Sequence, residues 1–318
     1  MGRLVWHNGN LIPESEAKVS IYDSAMMFGD TVFEMTRTFK GQQFKLEEHI
    51  DRLYYGLKIL QIKITTTKSE MIDAVYQVMV ANQPDMAPDD EHRVMIDVTR
   101  GLLGIYKDVG DITPNIFIAD FPLRWTVQNM GHLFDVGINA VIPSQRAIPS
   151  FLLEPKIKNR SRVHYLMANM QVAEIKGDDN WALLLDPDGF IAEGTGDNFF
   201  IIKDGNIITP EPRNILRGVS RQFIIDIVNS GGLVIEKNIE PYDVYTADEA
   251  FMTGTPFCML PVTSLNGIKI GDGKVGNLFR SLLATWSDMV DVDIEKQIKS
   301  WNGSNVNGIT PYQFKGND

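Results

Sequence analysis

Four cations fall within the eight residues Pro155-Lys156-Ile157-Lys158-Asn159-Arg160-Ser161-Arg162. The stretch that follows, 163–172, reads as a helix. A helix start ordinarily favours acidic side chains, because the positive end of the helix dipole repels cations. Two readings of the cluster stand side by side. It is a solvated basic face, or it holds a lysine whose ammonium is destabilised by like charges and burial, leaving a neutral amine near pH 7. Such an amine can form a Schiff base with an aldehyde.

A second segment favours the amine. Residues 181–186 form an apolar strand, Pro187-Asp188-Gly189 is turn chemistry, and a second apolar strand covers 199–202. Between them runs Phe190-Ile191-Ala192-Glu193-Gly194-Thr195-Gly196-Asp197-Asn198. Glu193 stands between an apolar run and two glycines, where an unpaired charge is expensive to bury. Its position makes sense if it faces a cation such as a protonated pyridine nitrogen. A lysine for an aldehyde and a carboxylate for a pyridinium are the two requirements of pyridoxal phosphate chemistry.

The chain resembles the class IV, or fold type IV, pyridoxal-phosphate aminotransferases. This family includes branched-chain amino acid aminotransferases, D-amino acid aminotransferases, aminodeoxychorismate lyases and R-selective amine transaminases. The resemblance runs from Val5 to about Met289. It is carried by Phe28-Gly29-Asp30-Thr31-Val32-Phe33-Glu34, His49-Ile50-Asp51-Arg52-Leu53, Lys158, Glu193 to Asn198, Leu216-Arg217-Gly218-Val219-Ser220-Arg221, and Thr253-Gly254-Thr255 followed by Pro261-Val262. Each motif alone is weak; their common order makes the match specific.

The resemblance implies roles for individual residues. Lys158, with Lys156 as its competitor, would be the Schiff-base partner and then the general acid/base of the proton shift. Glu193 would keep the pyridine nitrogen protonated. Arg52, the helix start Gly218-Val219-Ser220 and Thr255 would hold the phosphate. Tyr165 would bond the cofactor's phenolic oxygen, although it follows Lys158 by seven residues where branched-chain enzymes have five. Substrate recognition departs from the family pattern. Glu91-His92-Arg93 replaces a Tyr-x-Arg, Pro256 removes a backbone N–H from the turn that binds the substrate carboxylate, and Phe33 replaces the tyrosine of D-amino acid enzymes. Arg37 and Arg93 are the remaining candidate carboxylate binders, each balanced against a structural salt bridge.

The elements that must position these groups follow the hydrophobic pattern. Asn8-Gly9 marks a hairpin between 5–7 and 10–12. Leu46, Ile50, Leu53, Leu57 and Leu60 define a helix over 46–61, and a second helix covers 68–82. Residues 93–99 and 115–119 read as strands. Later strands are expected over 137–142, 234–239, 249–253 and 268–270, with helices over 219–229 and 275–289. The expected architecture is α+β and two-domain, of the D-amino acid aminotransferase-like fold type IV. A small α/β N-terminal domain covers 1–122, a connection 123–135, and a larger, mixed, β-rich cofactor-binding domain 136–292. A peripheral polar tail follows over 293–318.

The balance of the chain fits a soluble globular protein of 318 residues, 44% hydrophobic and 22% charged. A net charge of -11 argues against a nucleic-acid partner. No apolar run approaches the roughly 20 residues that span a bilayer, and the N-terminus has no signal-peptide pattern. The single cysteine, Cys258, excludes an internal disulfide and suits a reducing cytoplasm. It sits in an apolar run, as a packed thiol does. The five histidines lack metal-ligand spacing.

The expected activity is pyridoxal 5'-phosphate-dependent transamination of a branched-chain-like amino acid to a 2-oxo acid, with a small amino donor and a 2-oxo acid acceptor. The family further implies a homodimer. The alternatives are a lyase of the aminodeoxychorismate type, a D-amino acid or R-amine transaminase, and a degenerate cofactor-binding protein without catalysis.

Overall fold

The structure is a computed structural model that describes residues 2–301 and 312–314. The chain divides into two compact units, one of Met1–Trp125 with Lys156–Arg162, the other of Thr126–Pro155 with Val163–Asp318.

The first unit opens with strands β1 (Leu4–His7) and β2 (Asn10–Pro13), joined through Asn8 and Gly9, both at positive φ. Helix α1 (Ser24–Phe28) and strands β3 (Val32–Phe39) and β4 (Gln42–Gln43) follow. Then come α2 (Leu46–Ile59), α3 (Lys68–Asn82), β5 (His92–Thr99) and β6 (Asn115–Pro122). The strands form one antiparallel sheet in the order β2-β1-β6-β5-β3-β4. Because strand side chains alternate in direction, Val94, Ile96 and Val98 of β5 and Ile116 and Ile118 of β6 share one face. Against it pack Leu46, Ile50, Leu53 and Leu57 of α2 and Met71, Val75 and Val78 of α3. Each such side chain, fully buried, contributes about 1.5–3 kcal/mol. Thr67 starts α3 through a reciprocal cap with Glu70, whose carboxylate accepts from the Thr67 N–H at 2.7 Å.

Helix α4 (Arg124–Val127), which spans the boundary of the two units, and α5 (Leu133–Val136) of the second occupy the stretch expected as a featureless connection. Val127, Met130, Leu133 and Phe134 are buried there, enough apolar surface to fold the segment onto the unit. Strand β7 (Ile138–Val141), helix α6 (Val163–Ala173) and strands β8 (Asn180–Leu185), β9 (Ile191–Gly194), β10 (Asn198–Lys203) and β11 (Asn206–Pro210) follow. Helix α7 (Val219–Asn229), β12 (Ile235–Lys237), α8 (Pro241–Tyr245), β13 (Glu249–Gly254), β14 (Cys258–Leu265), β15 (Ile268–Lys269) and α9 (Asn277–Val290) come next, of which α8 and β14 lie outside the expected elements. The strands run β12-β11-β10-β13-β14-β7-β8-β9. A further pairing of β9 with β10, at Glu193 opposite Asn198, closes β10, β13, β14, β7, β8 and β9 into a ring. Closure buries strands on both faces, which is why β8 and β10 read as continuous apolar runs.

Two expectations about the chain's organisation need correction. Lys156–Arg162 belongs to the first unit, because it hydrogen-bonds along β3: the Phe33 N–H donates to the Lys158 carbonyl at 2.9 Å and Arg160 N–H to the Thr31 carbonyl at 3.0 Å. The stretch from 293 is also not peripheral where it is described. Asp293 caps a tenth helix, α10 (Ile294–Ser300), by accepting from the Lys296 N–H at 2.9 Å. Ile294, Ile298, Trp301 and Tyr312 are all buried.

Candidate active site

Lys158 sits in extended chain held on the start of β3, five residues ahead of α6, so its segment is not the first turn of that helix. The repulsion expected between four cations and a helix start is therefore relieved by conformation. It is relieved further by pairing, since Arg160 Nε donates to Asp97 at 2.9 Å. Ser161 fastens the segment to the turn after α1, where its hydroxyl lies 2.9 Å from the Phe28 carbonyl oxygen and 3.1 Å from that of Gly29. Gly29 is left-handed at φ 66°, and a Cβ there would lie 2.9 Å from Ser161 Oγ. The motif glycine thus admits the lysine segment.

Phe33 lies beneath this segment. The Arg160 guanidinium is 3.8 Å from its ring centroid, Lys158 Nζ 4.8 Å and the Arg162 guanidinium 5.7 Å. A phenyl face attracts cations, so the aromatic ring holds the basic cluster together. Further along the same strands, Arg37 and Arg93 stand directly opposite each other. Arg37 is 1% exposed, donates Nε–H to the Thr38 carbonyl and lies 3.9 Å over the Phe39 ring. Arg93 places a guanidinium nitrogen 3.5 Å from the Met35 sulfur. Glu91, at the position of the missing tyrosine, accepts from Thr38 Oγ1 at 2.6 Å and from the Lys40 N–H at 2.7 Å. It pins the β3–β4 turn.

On the opposite face of β3, Glu34 meets α2. Arg52 grips it bidentately, with Nε 2.6 Å from Oε1 and Nη2 2.8 Å from Oε2, and His49 Nδ1 lies 2.8 Å from Oε2. His49 and Arg52 share a helix face because they are three residues apart. Burial pushes the Glu34 pKa up, but the Arg52 and His49 charges and hydrogen bonds outweigh it and hold the carboxyl well below its usual range. Burial lowers the His49 pKa; Glu34 opposes this, while the charges of Arg52 and Lys158 add to it. Sequence reasoning quoted Glu34 and His49 within motifs and gave them no role. A carboxylate inside the run Val32-Phe33-Glu34-Met35 was the available signal.

The second unit builds around Glu193, which is 4% exposed. Its Oε1 accepts from the Tyr165 hydroxyl at 2.8 Å, and its Oε2 accepts from Asn198 Nδ2 at 3.1 Å and the Leu216 N–H at 3.0 Å. Three donors suit an ionised carboxylate, which can only accept. Tyr165, expected on the cofactor's phenolic oxygen, is here a donor to Glu193. Asn198 also donates to the Leu216 carbonyl at 2.9 Å, tying the strand to the approach of α7. Gly218 is the N-cap of α7 and makes no side-chain cap hydrogen bond to its first N–H groups, the kind of helix start that suits an anion. A Cβ at Gly218 would lie 2.1 Å from Asn198 Oδ1. Asn198 in turn pairs across the sheet with Thr253, two residues before Thr255, and Pro256 is buried in the turn that follows. Of the expected residues, the second unit carries Tyr165, Glu193, Gly218, Val219, Ser220, Thr255 and Pro256 and joins Tyr165 to Glu193, whereas the first carries Phe33, Arg37, Arg52, Arg93 and Lys158, with Lys158 over the Phe33 ring and Arg52 bound to Glu34 on the other face of β3. Asn198 and the Leu216 N–H are partners that the sequence reading missed.

Among the described residues there is no group of His, Cys, Asp and Glu placed to hold a metal ion, and no helix long and apolar enough to cross a membrane.

Residues 31–265 match the amino-transferase class IV family. A Methanocaldococcus jannaschii protein with the provisional name branched-chain-amino-acid aminotransferase is 36% identical over 288 residues, covering 90% of this chain and 96% of that one. The branched-chain aminotransferase of Thermoproteus uzoniensis, solved with norvaline, matches with a TM-score of 0.79 at 27% identity, over 95% of this chain and 98% of that one. The branched-chain amino acid aminotransferase of Thermobaculum terrenum, solved in its PLP form, gives a TM-score of 0.77 at 27% identity, over 94% and 97%. This chain belongs to the class IV aminotransferases, and its α+β fold is that of the fold type IV branched-chain enzymes.

Proposed function

We propose that the chain transaminates a branched-chain-like amino acid to its 2-oxo acid with pyridoxal 5'-phosphate. The observation that carries this reading is Glu193, a buried carboxylate ringed by three donors and sharing Asn198 with the uncapped start of α7. That donor set fits a cofactor with a basic ring nitrogen and a phosphate. The names of the relatives support the substrate class.

When bound, the cofactor supplies an electron sink for the pair left by the substrate's departing α-proton. Lys158 holds the aldehyde, and its Nζ takes and returns the proton. Glu193 keeps a proton on the ring nitrogen, while Tyr165 and Asn198 hold the Glu193 carboxylate in one orientation. On the first unit, Arg52, aimed by Glu34, is a phosphate contact, Phe33 a substrate contact, and Arg37 and Arg93 the carboxylate binders. On the second, the N–H groups of Gly218, Val219 and Ser220 with Thr255 are phosphate contacts and Pro256 a substrate contact.

The reading extends to a cytoplasmic homodimer. The first unit exposes Ile21, Met26, Phe28 and Ile105, each more than half accessible, as a surface for a second copy to cover. Cys258 is a buried thiol, in keeping with a reducing compartment.

Glu193→Ala tests the carrying observation. The variant should retain the cofactor and lose transamination by roughly 100-fold or more; a rate near that of the unmodified enzyme would remove Glu193 from the chemistry. A panel of amino donors against 2-oxoglutarate and pyruvate, read with product chirality, tests the substrate class. Activity confined to amines without a carboxylate would overturn it.

A further inference from the structure

Tyr312 lies beyond the family match, yet it is 7% exposed and packs against the elements that carry the cofactor contacts. Its ring stacks on Trp181 of β8, with centroids 4.6 Å apart and planes 11° from parallel. It meets Phe257 edge-on at 5.5 Å, and Trp181 and Phe257 meet each other at 5.7 Å. Phe257 belongs to the turn between β13 and β14 that holds Thr255, and its ring fills the space beside Gly254, where a Cβ would lie 2.7 Å from Cζ. On the other side, a Cβ at Gly196 would lie 2.6 Å from Tyr312 Cε1. Gly196 is in the loop between Glu193 and Asn198. The Gln313 side-chain amide donates to the Asp178 carbonyl just ahead of β8, anchoring the neighbouring residue.

We propose that Tyr312 is a positioning residue for the cofactor, wedged between Gly196 and Phe257 so that the loop after Glu193 and the turn carrying Thr255 keep a fixed spacing. This rests on the cofactor reading above. An aromatic ring suits the task because it is rigid, with few rotamers to lose on burial. Gly196 is required for the same reason, since any side chain there meets the ring. Tyr312 thus takes part in presenting the ring-nitrogen and phosphate contacts together.

The test is the dissociation constant of pyridoxal 5'-phosphate, titrated into cofactor-free protein and read by visible absorbance, with the thermal midpoint of each cofactor-free variant alongside. Tyr312→Ala and Gly196→Ala should each raise the constant roughly tenfold, and Tyr312→Phe should restore it to within about twofold of the unmodified value. At saturating cofactor, the pH titration of the absorbance band should also move in the first two variants. Ile298→Ala removes buried packing from α10 and should lower the thermal midpoint while leaving the cofactor constant alone. Tyr312→Leu replaces Tyr312→Ala if the latter does not fold, with the same expected result. A constant unchanged in Tyr312→Leu and Gly196→Ala would overturn the proposal, and so would an equal rise in Ile298→Ala. Failure of the unmodified protein to bind the cofactor would overturn the functional reading first and this one with it.

Discussion

Asn198 stands opposite Glu193 at the register pair that joins β9 to β10, and its side-chain amide donates to Glu193 Oε2 at 3.1 Å. The residue that closes the ring of strands therefore also fixes the carboxylate. Closure of the ring of strands and orientation of the Glu193 carboxylate depend on the same residue, which makes the carboxylate sensitive to anything that moves Asn198.

Gly218→Ala probes that sensitivity with one added carbon. Gly218 has φ -64° and ψ 137°, ordinary values for alanine, so backbone strain plays no part. The new Cβ would instead meet Asn198 Oδ1 at 2.1 Å. Overpacking of this kind costs about 1–3 kcal/mol. The variant should bind pyridoxal 5'-phosphate roughly tenfold more weakly, as read by equilibrium titration, because Asn198 must leave Glu193. Unchanged affinity would show that the amide does not hold the carboxylate in place.

Glu34→Gln should expose the electrostatics of the first unit. The carboxyl is held below its ordinary pKa, so its stabilisation is fully present above its unfolded value of about 4.5 and is lost as pH falls toward the folded value. Breaking a buried pair by removing one partner costs about 3–5 kcal/mol. The thermal midpoint of Glu34→Gln should lie well below that of the unmodified protein at pH 7. The gap should narrow below about pH 4.5, where the carboxylate advantage fades in the parent. A gap independent of pH would mean that packing, rather than charge, joins Glu34 to Arg52.

Arg37→Lys and Arg93→Lys test carboxylate recognition. An arginine fork binds a carboxylate through two parallel hydrogen bonds that a lysine cannot reproduce. Either substitution should raise the apparent KM for amino acid donors and spare simple amines. Equal effects on both donor classes would assign the cross-strand arginine pair to folding alone.

Much of this was legible in the sequence, and what escaped has a common cause. Local periodicity fixes a helix, and the expected ranges 46–61 and 68–82 match Leu46–Ile59 and Lys68–Asn82. Motif order placed the family, since it repeats residues with demanding local roles, such as Gly29, left-handed at φ 66°, and Gly218, where a Cβ would meet Asn198. The setting of Lys158 escaped because pairing with β3 brings together residues more than 120 positions apart, and no local pattern marks such a contact. Glu34 and His49 carried no assigned role because their contact joins a strand to the helix that packs on it, 15 positions away, which neither periodicity marks by itself. The tail reads as peripheral from its Asn and Gly content, whereas Ile294 and Ile298, four apart on one face of α10, bury that helix.

The most direct measurement is borohydride reduction of the protein with bound pyridoxal 5'-phosphate, followed by peptide mapping. The phosphopyridoxyl label should fall on Lys158 and nowhere else, and Lys158→Ala should abolish both label and transamination. Label on Lys156, or no label on a protein that nonetheless transaminates, would contradict the assignment of Lys158 as the residue that carries the cofactor.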